Sequence, residues 1–193
     1  MQYRTLLFVS LISVIGLQSA YGFGCPHLPV VKDFNVNAFM GTWYQQASKG
    51  TFWFQGPGSC AKAEYALVDT GSVSVHNSQK GLFGEQNVEG TAVLSDPKSG
   101  EGTLKVTLHT PVGQQTADLS VLATDYNNFA ILCSCKTVII PFKSCWILTR
   151  KQKLEGDDKT DVDKKIDAAF DHINQNKDTP KRSAFSVTSQ NNC

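Results

Sequence analysis

The sequence predicts an all-β antiparallel fold, a barrel or a sandwich, followed by one helix. Eight short strand-like runs recur at even spacing, and turn residues of hairpin length separate them. One later segment breaks that pattern, with apolar residues at helical steps. The 193 residues, 41% hydrophobic and 18% charged, suit one globular domain and are too apolar for a disordered chain.

Taken in order, the chain opens on a processing segment. Arg4 stands before an apolar run over 6–17, and the small-residue stretch Gln18-Ser19-Ala20-Tyr21-Gly22 follows. This is the layout of a secretory signal over 1–22, with Ala20 and Gly22 at the positions the peptidase reads. The run falls short of the roughly 20 residues a membrane-spanning helix needs, and no later segment is long or apolar enough to be a transmembrane segment. Residues 23–193 are therefore expected to form a single secreted domain. Arg4 is the only charge before it, so that domain keeps 17 basic residues against 17 acidic ones. Such a neutral balance gives no basic surface for nucleic acid.

All six cysteines, Cys25, Cys60, Cys133, Cys135, Cys145 and Cys193, lie in that domain. An even count in an oxidising compartment favours disulfides, and spacing alone does not choose the pairing. His27, His76, His109 and His172 are scattered, with no CxxC or HExxH among them, which argues against a metal site.

The strand-like runs are 42–47, 61–68, 72–77, 86–95, 103–109, 118–123, 129–137 and 144–149. Alternation puts Ala61, Ala63 and Tyr65 on one face of the second run, opposite Lys62 and Glu64. In the third, Val73, Val75 and Asn77 oppose Ser72, Ser74 and His76, and the apolar sets should point inward. Over 160–175, Val162, Ile166, Ala169, Phe170 and Ile173 form one helical stripe that must dock on the outside of the sheet. Thr160 with Asp163 reads as a capping box, and Asp157, Asp158 and Asp161 suit the positive helix start. Residues 183–187 read as a last short strand.

Three motifs then carry a resemblance. Gly41-Thr42-Trp43-Tyr44 opens the first run, Thr124-Asp125-Tyr126 closes the sixth, and Arg150 ends the eighth in Trp146-Ile147-Leu148-Thr149-Arg150. In this order, with a helix after them, they resemble the three conserved regions of the lipocalins across nearly all of 23–193. Val121-Leu122-Ala123-Thr124-Asp125-Tyr126 and Asp33-Phe34-Asn35-Val36 are similar to the branch of apolipoprotein D, insecticyanin and bilin-binding protein.

The resemblance implies an eight-stranded up-and-down barrel around one small ligand, with the helix packed outside. Trp43 would plug the closed end under the Arg150 guanidinium, Gly41 would let the chain pass beneath, and Thr124, Asp125 and Tyr126 would be structural. It also implies disulfides Cys25–Cys135 and Cys60–Cys193. Cys133 and Cys145 are left over. They would bond if they face each other across the last hairpin, or stay as two thiols, or Cys133 would take the place of Cys135.

Tyr65, Asn77 and Trp146 match pocket positions of the branch, and Val75 joins them by alternation. Phe52, Trp53 and Phe54 fall between the first two runs, where lipocalins carry the loop over the mouth. They are expected to cover the ligand, with a self-packed loop or an interface for a receptor or second copy as alternatives. Phe129 and Phe83 are weaker rim candidates, and Lys80 and Lys143 are either partners for carboxylates at the mouth or, as surface lysines usually are, solvated charges.

The function implied is a secreted carrier of a small hydrophobic ligand that performs no chemistry and requires no cofactor. A biliverdin-type bilin is the first ligand, then a carotenoid, retinoid, sterol or fatty acid. A protein-interaction or amine-scavenging role is the competing class. An isomerase using Cys133 as nucleophile is a third.

Overall fold

The computed structural model describes residues 25–50, 56–69, 71–137 and 141–193. The segment read as a signal and the run Phe52, Trp53 and Phe54 lie outside them. Eight strands follow one another: β1 (Gly41–Lys49), β2 (Gly58–Asp69), β3 (Ser72–Gly81), β4 (Gly84–Leu94), β5 (Thr103–Thr110), β6 (Gly113–Thr124), β7 (Phe129–Thr137) and β8 (Pro141–Thr149). Each pairs antiparallel with the next, and β1 pairs with both β2 and β8, so the sheet closes into a barrel. Closure removes the free edges that a sandwich of these strands would leave.

The alternation read from the sequence sets the two faces. Val73 and Val75 of β3 are buried, and Ser72 and Ser74 of the opposite row are half-buried. Several strands run further towards one end of the barrel than the apolar pattern suggested. β3 continues through Gln79 and Lys80, and β6 begins at Gly113 with Gln114 and Gln115. These polar residues end the hydrophobic alternation while the hydrogen-bonded ladder goes on.

Two hydrophobic layers result. Inside the barrel, Phe34, Phe39, Trp43, Val73, Val75, Leu104, Leu108, Val121 and Leu132 form the inner core. Outside it, helix α2 (Gly156–Ile173) lays Val162, Ile166, Phe170 and Ile173 on Leu122, Phe129, Ile131 and Ile147. The stripe is the one expected, but the capping box is not formed. The helix starts earlier, its N-cap Glu155 makes no side-chain cap, and the Thr160 hydroxyl donates to the Gly156 carbonyl at 3.2 Å. Asp163 is engaged instead by Lys159 and Arg182. The first turn is wholly polar, so hydrophobic spacing had nothing to mark it. Asp157 and Asp158 do lie in that turn, while Asp161 pairs with Lys165 further on.

A four-residue helix, α1 (Val36–Phe39), was not expected. Asn35 caps it, its Oδ1 accepting from the Ala38 N–H at 3.0 Å.

The C-terminal tail repairs a seam. β1 pairs with β2 only over Gly41–Tyr44 and then follows β8. Strand β9 (Ser186–Val187) pairs with Ala47 and Ser48, the Thr188 N–H donates to Gln46 O, and the Cys60 N–H donates to Ser189 O. The Gln190 side-chain amide donates to Gln45 O and Ala61 O, each at 2.9 Å, joining the two strands. Disulfide Cys60–Cys193 pins the tail there, and Cys25–Cys135 pins the N-terminal arm to β7. Cys133 faces Cys145 across β7 and β8, and the two are bonded.

Candidate functional site

The end of the barrel where β1 begins is closed by aromatic packing. Trp43 is fully buried, its indole N–H donating to Phe39 O at 2.9 Å, with the Phe39 ring 5.1 Å away. The Arg150 guanidinium lies 3.7 Å from the Trp43 ring centre, a cation–π contact. That guanidinium also donates to the carbonyls of Ala38, Thr42 and Tyr126, tying α1, β1 and the β6–β7 turn together. Gly41, at φ +96°, passes so close that a Cβ there would stand 3.2 Å from Arg150 Nη1.

The Thr124-Asp125-Tyr126 motif builds the adjoining turn. Asp125 accepts from the backbone N–H groups of Asn128 and Phe129 at 2.8 and 3.0 Å, and from the Asn128 side chain. Burial works to raise its carboxyl, but the Asn128 and Phe129 hydrogen bonds and the Lys165 charge win and hold it below the ordinary range. Tyr126, at φ +63°, turns its hydroxyl to accept from the Asn35 N–H at 3.1 Å. Thr124 Oγ1 donates to Phe129 O.

Above this floor lies a cavity enclosed by the barrel strands. Its lower wall is apolar, from Ala63, Val75, Val88, Val106, Leu108, Leu119, Leu132 and Leu148, with Trp146 on one side. Tyr65 and Asn77 also line it. Burial pushes the Tyr65 hydroxyl up to about 12, so it stays a neutral donor. Towards the mouth the lining turns polar: Gln79 donates to Gln86 at 2.7 Å, and Lys136 donates to Gln115 at 2.8 Å. Gln45 and Ser134 are buried polar residues of the same wall.

The sequence reading thus brings Tyr65, Val75, Asn77 and Trp146 into one cavity and places Trp43 and Arg150 below it. Phe129 requires correction. It is buried against α2 in the outer layer, so it faces away from the cavity. The reason is parity: Phe129, Ile131 and Cys133 share one row of β7, and the cavity is lined by Leu132 and Ser134 of the other. Phe83 stands 95% exposed in the β3–β4 turn and is not part of the lining. Lys80 and Lys143 bond the backbone carbonyls of Asn192 and Asp178. Cys133 has no thiol, being bonded to Cys145 in the layer beneath α2. Phe52, Trp53 and Phe54 lie outside the described residues.

Sequence reasoning missed Lys136 and the glutamines of the mouth. Lys136 was within reach: it follows Leu132 and Ser134 by steps of two on a run already read as a strand.

The family model described as lipocalin / cytosolic fatty-acid binding protein family matches residues 40–177. Apolipoprotein D of Bos taurus is 35% identical over 155 residues, 77% of this chain and 79% of that protein. The solved structure of insecticyanin from the tobacco hornworm Manduca sexta is 27% identical, with a TM-score of 0.68 over 86% of this chain and 85% of that one. Lobster apocrustacyanin A1 is 26% identical, with a TM-score of 0.61 over 81% of this chain and 79% of that one.

Proposed function

We propose, from the premise that this chain belongs to the lipocalin family, that it is a secreted carrier holding one small hydrophobic ligand inside the barrel. One observation carries the reading. A cavity with apolar lower walls is sealed at one end by Trp43 and Arg150 and reaches the other end of the barrel. Burial of an apolar ligand in such a cup supplies affinity at about 25 cal/mol per Å², less the costs of association.

A bilin is the first ligand on this reading. Trp146 offers a flat wall to a conjugated ring system, and Asn77 and Tyr65 offer hydrogen bonds to its polar edge. Carotenoids, retinoids, sterols and fatty acids follow. Secretion rests on the signal layout of 1–22 and fits a domain with three disulfides. Among the described residues no helix is long and apolar enough to cross a membrane. The isomerase alternative loses its nucleophile to the Cys133–Cys145 bond.

The test is a titration of the oxidised protein with biliverdin, followed by tryptophan quenching and the visible band, with a carotenoid in parallel. Saturable one-to-one binding that weakens at least about tenfold in Trp146→Ala or Asn77→Ala supports the bilin carrier. Saturation by the carotenoid alone moves the cargo and keeps the carrier. Saturation by neither, nor by a fatty acid, removes the carrier reading and leaves the protein-interaction class.

A further inference from the structure

We propose that Lys136 anchors an anionic group on the ligand, so that the cavity takes an apolar body carrying a carboxylate at its mouth end and rejects one carrying an amine there. This rests on the carrier reading and narrows it to one ligand chemistry.

The charge of the lining has one sign. Among its described residues no side chain is acidic, and two are lysines, Lys62 and Lys136. Lys62 is already compensated, its ammonium 2.8 Å from Glu64. Acids of the wall strands share the outward row: Glu64 faces His76, His76 faces Glu89, Glu85 faces Lys80 at the mouth end, and Asp118 faces Lys105. Residues 51–55 and 138–140, which flank the mouth in sequence, contain no acidic or basic side chain.

Lys136 is different from Lys62. Its place on β7 is in the row of Leu132 and Ser134, near the mouth end of the strand. Its ammonium donates to the neutral Gln115 side chain at 2.8 Å, and no ion pair joins it to a described carboxylate. An ammonium has three donors, so capacity remains after Gln115. A carboxylate rising from the apolar cup would meet that charge in surroundings less polar than water, where a charge-assisted hydrogen bond is strong. An amine in the same place would meet a like charge with no acid beside it. Gln79 and Gln86 on β3 and β4 also line the cavity with polar amides.

Oleate, oleyl alcohol and oleylamine share one chain and differ at the head. Each is titrated into the oxidised protein by tryptophan fluorescence. Oleate should bind about 10- to 100-fold tighter than the alcohol, with the amine weakest. Lys136→Met should bring oleate down to the affinity of the alcohol and leave the alcohol within about twofold, while Lys136→Arg keeps the oleate preference. Equal affinity for oleate and the alcohol in the unmodified protein, or an oleate preference that survives Lys136→Met, overturns the anchor and leaves a carrier standing. Binding of none of the three overturns the anchor, and the carrier reading then stands or falls with the biliverdin and carotenoid titrations.

Discussion

At the scale of the residue, Trp43 and Arg150 show how much of the closed end depends on two side chains. The indole is fully buried and bonded to Phe39 O, and the guanidinium covers its face while holding three carbonyls. Trp43→Ala should cost about 3–5 kcal/mol in denaturant unfolding, because it leaves a cavity where a fully buried indole packs against Phe39. Unchanged stability in that variant would place the indole elsewhere. Asp125 gives the floor a pH dependence with a definite sign. Its folded carboxyl lies below its unfolded value, so its stabilisation is full above the ordinary carboxylate range, near about pH 4, and is lost as pH falls through the lowered value. Asp125→Asn should therefore be less stable at neutral pH and show a flatter decline of stability below about pH 4, read from unfolding midpoints across that range.

Among the elements, the strands were legible because their middles alternate, and their mouth ends were not, because Gln79, Gln114 and Gln115 continue the ladder without an apolar signal. The stripe of α2 was legible for the same reason that its start was not: Val162 is its first buried residue, a turn and a half after Gly156. The tail was the least legible element. Only two of its residues form a strand, and its role comes from where β1 and β2 part. Opening Cys60–Cys193 with the pair Cys60→Ser and Cys193→Ser should cost about 2–5 kcal/mol. Hydrogen exchange should then show faster exchange at the amides of Cys60 and Thr188, which bond across the seam, while β4 and β5 keep their protection. Equal protection at the seam in both forms would mean that the disulfide does not hold the tail in place.

For the whole molecule, one division explains both what was readable and what was not. Each strand shows one row to the cavity and one to the outside, and on β7 and β8 the outside row is also buried, beneath α2. Phe129 was misplaced because on these two strands an apolar residue belongs to either layer, and hydrophobicity does not tell them apart. Tyr65, Val75 and Asn77 line the cavity, and their inward direction was legible because Glu64, Ser74 and His76 between and beside them are polar. The central claim is that the inner row encloses the ligand. Ala117 lines the cavity on β6 opposite Val106, with free space in front of it. Titration of biliverdin and oleate into Ala117→Trp, beside its thermal unfolding, tests that claim most directly. An indole in the cavity should abolish or weaken both ligands by at least about a hundredfold while the unfolding midpoint stays near that of the unmodified protein. Unaltered binding in a folded Ala117→Trp would put the ligand outside the barrel and contradict the account.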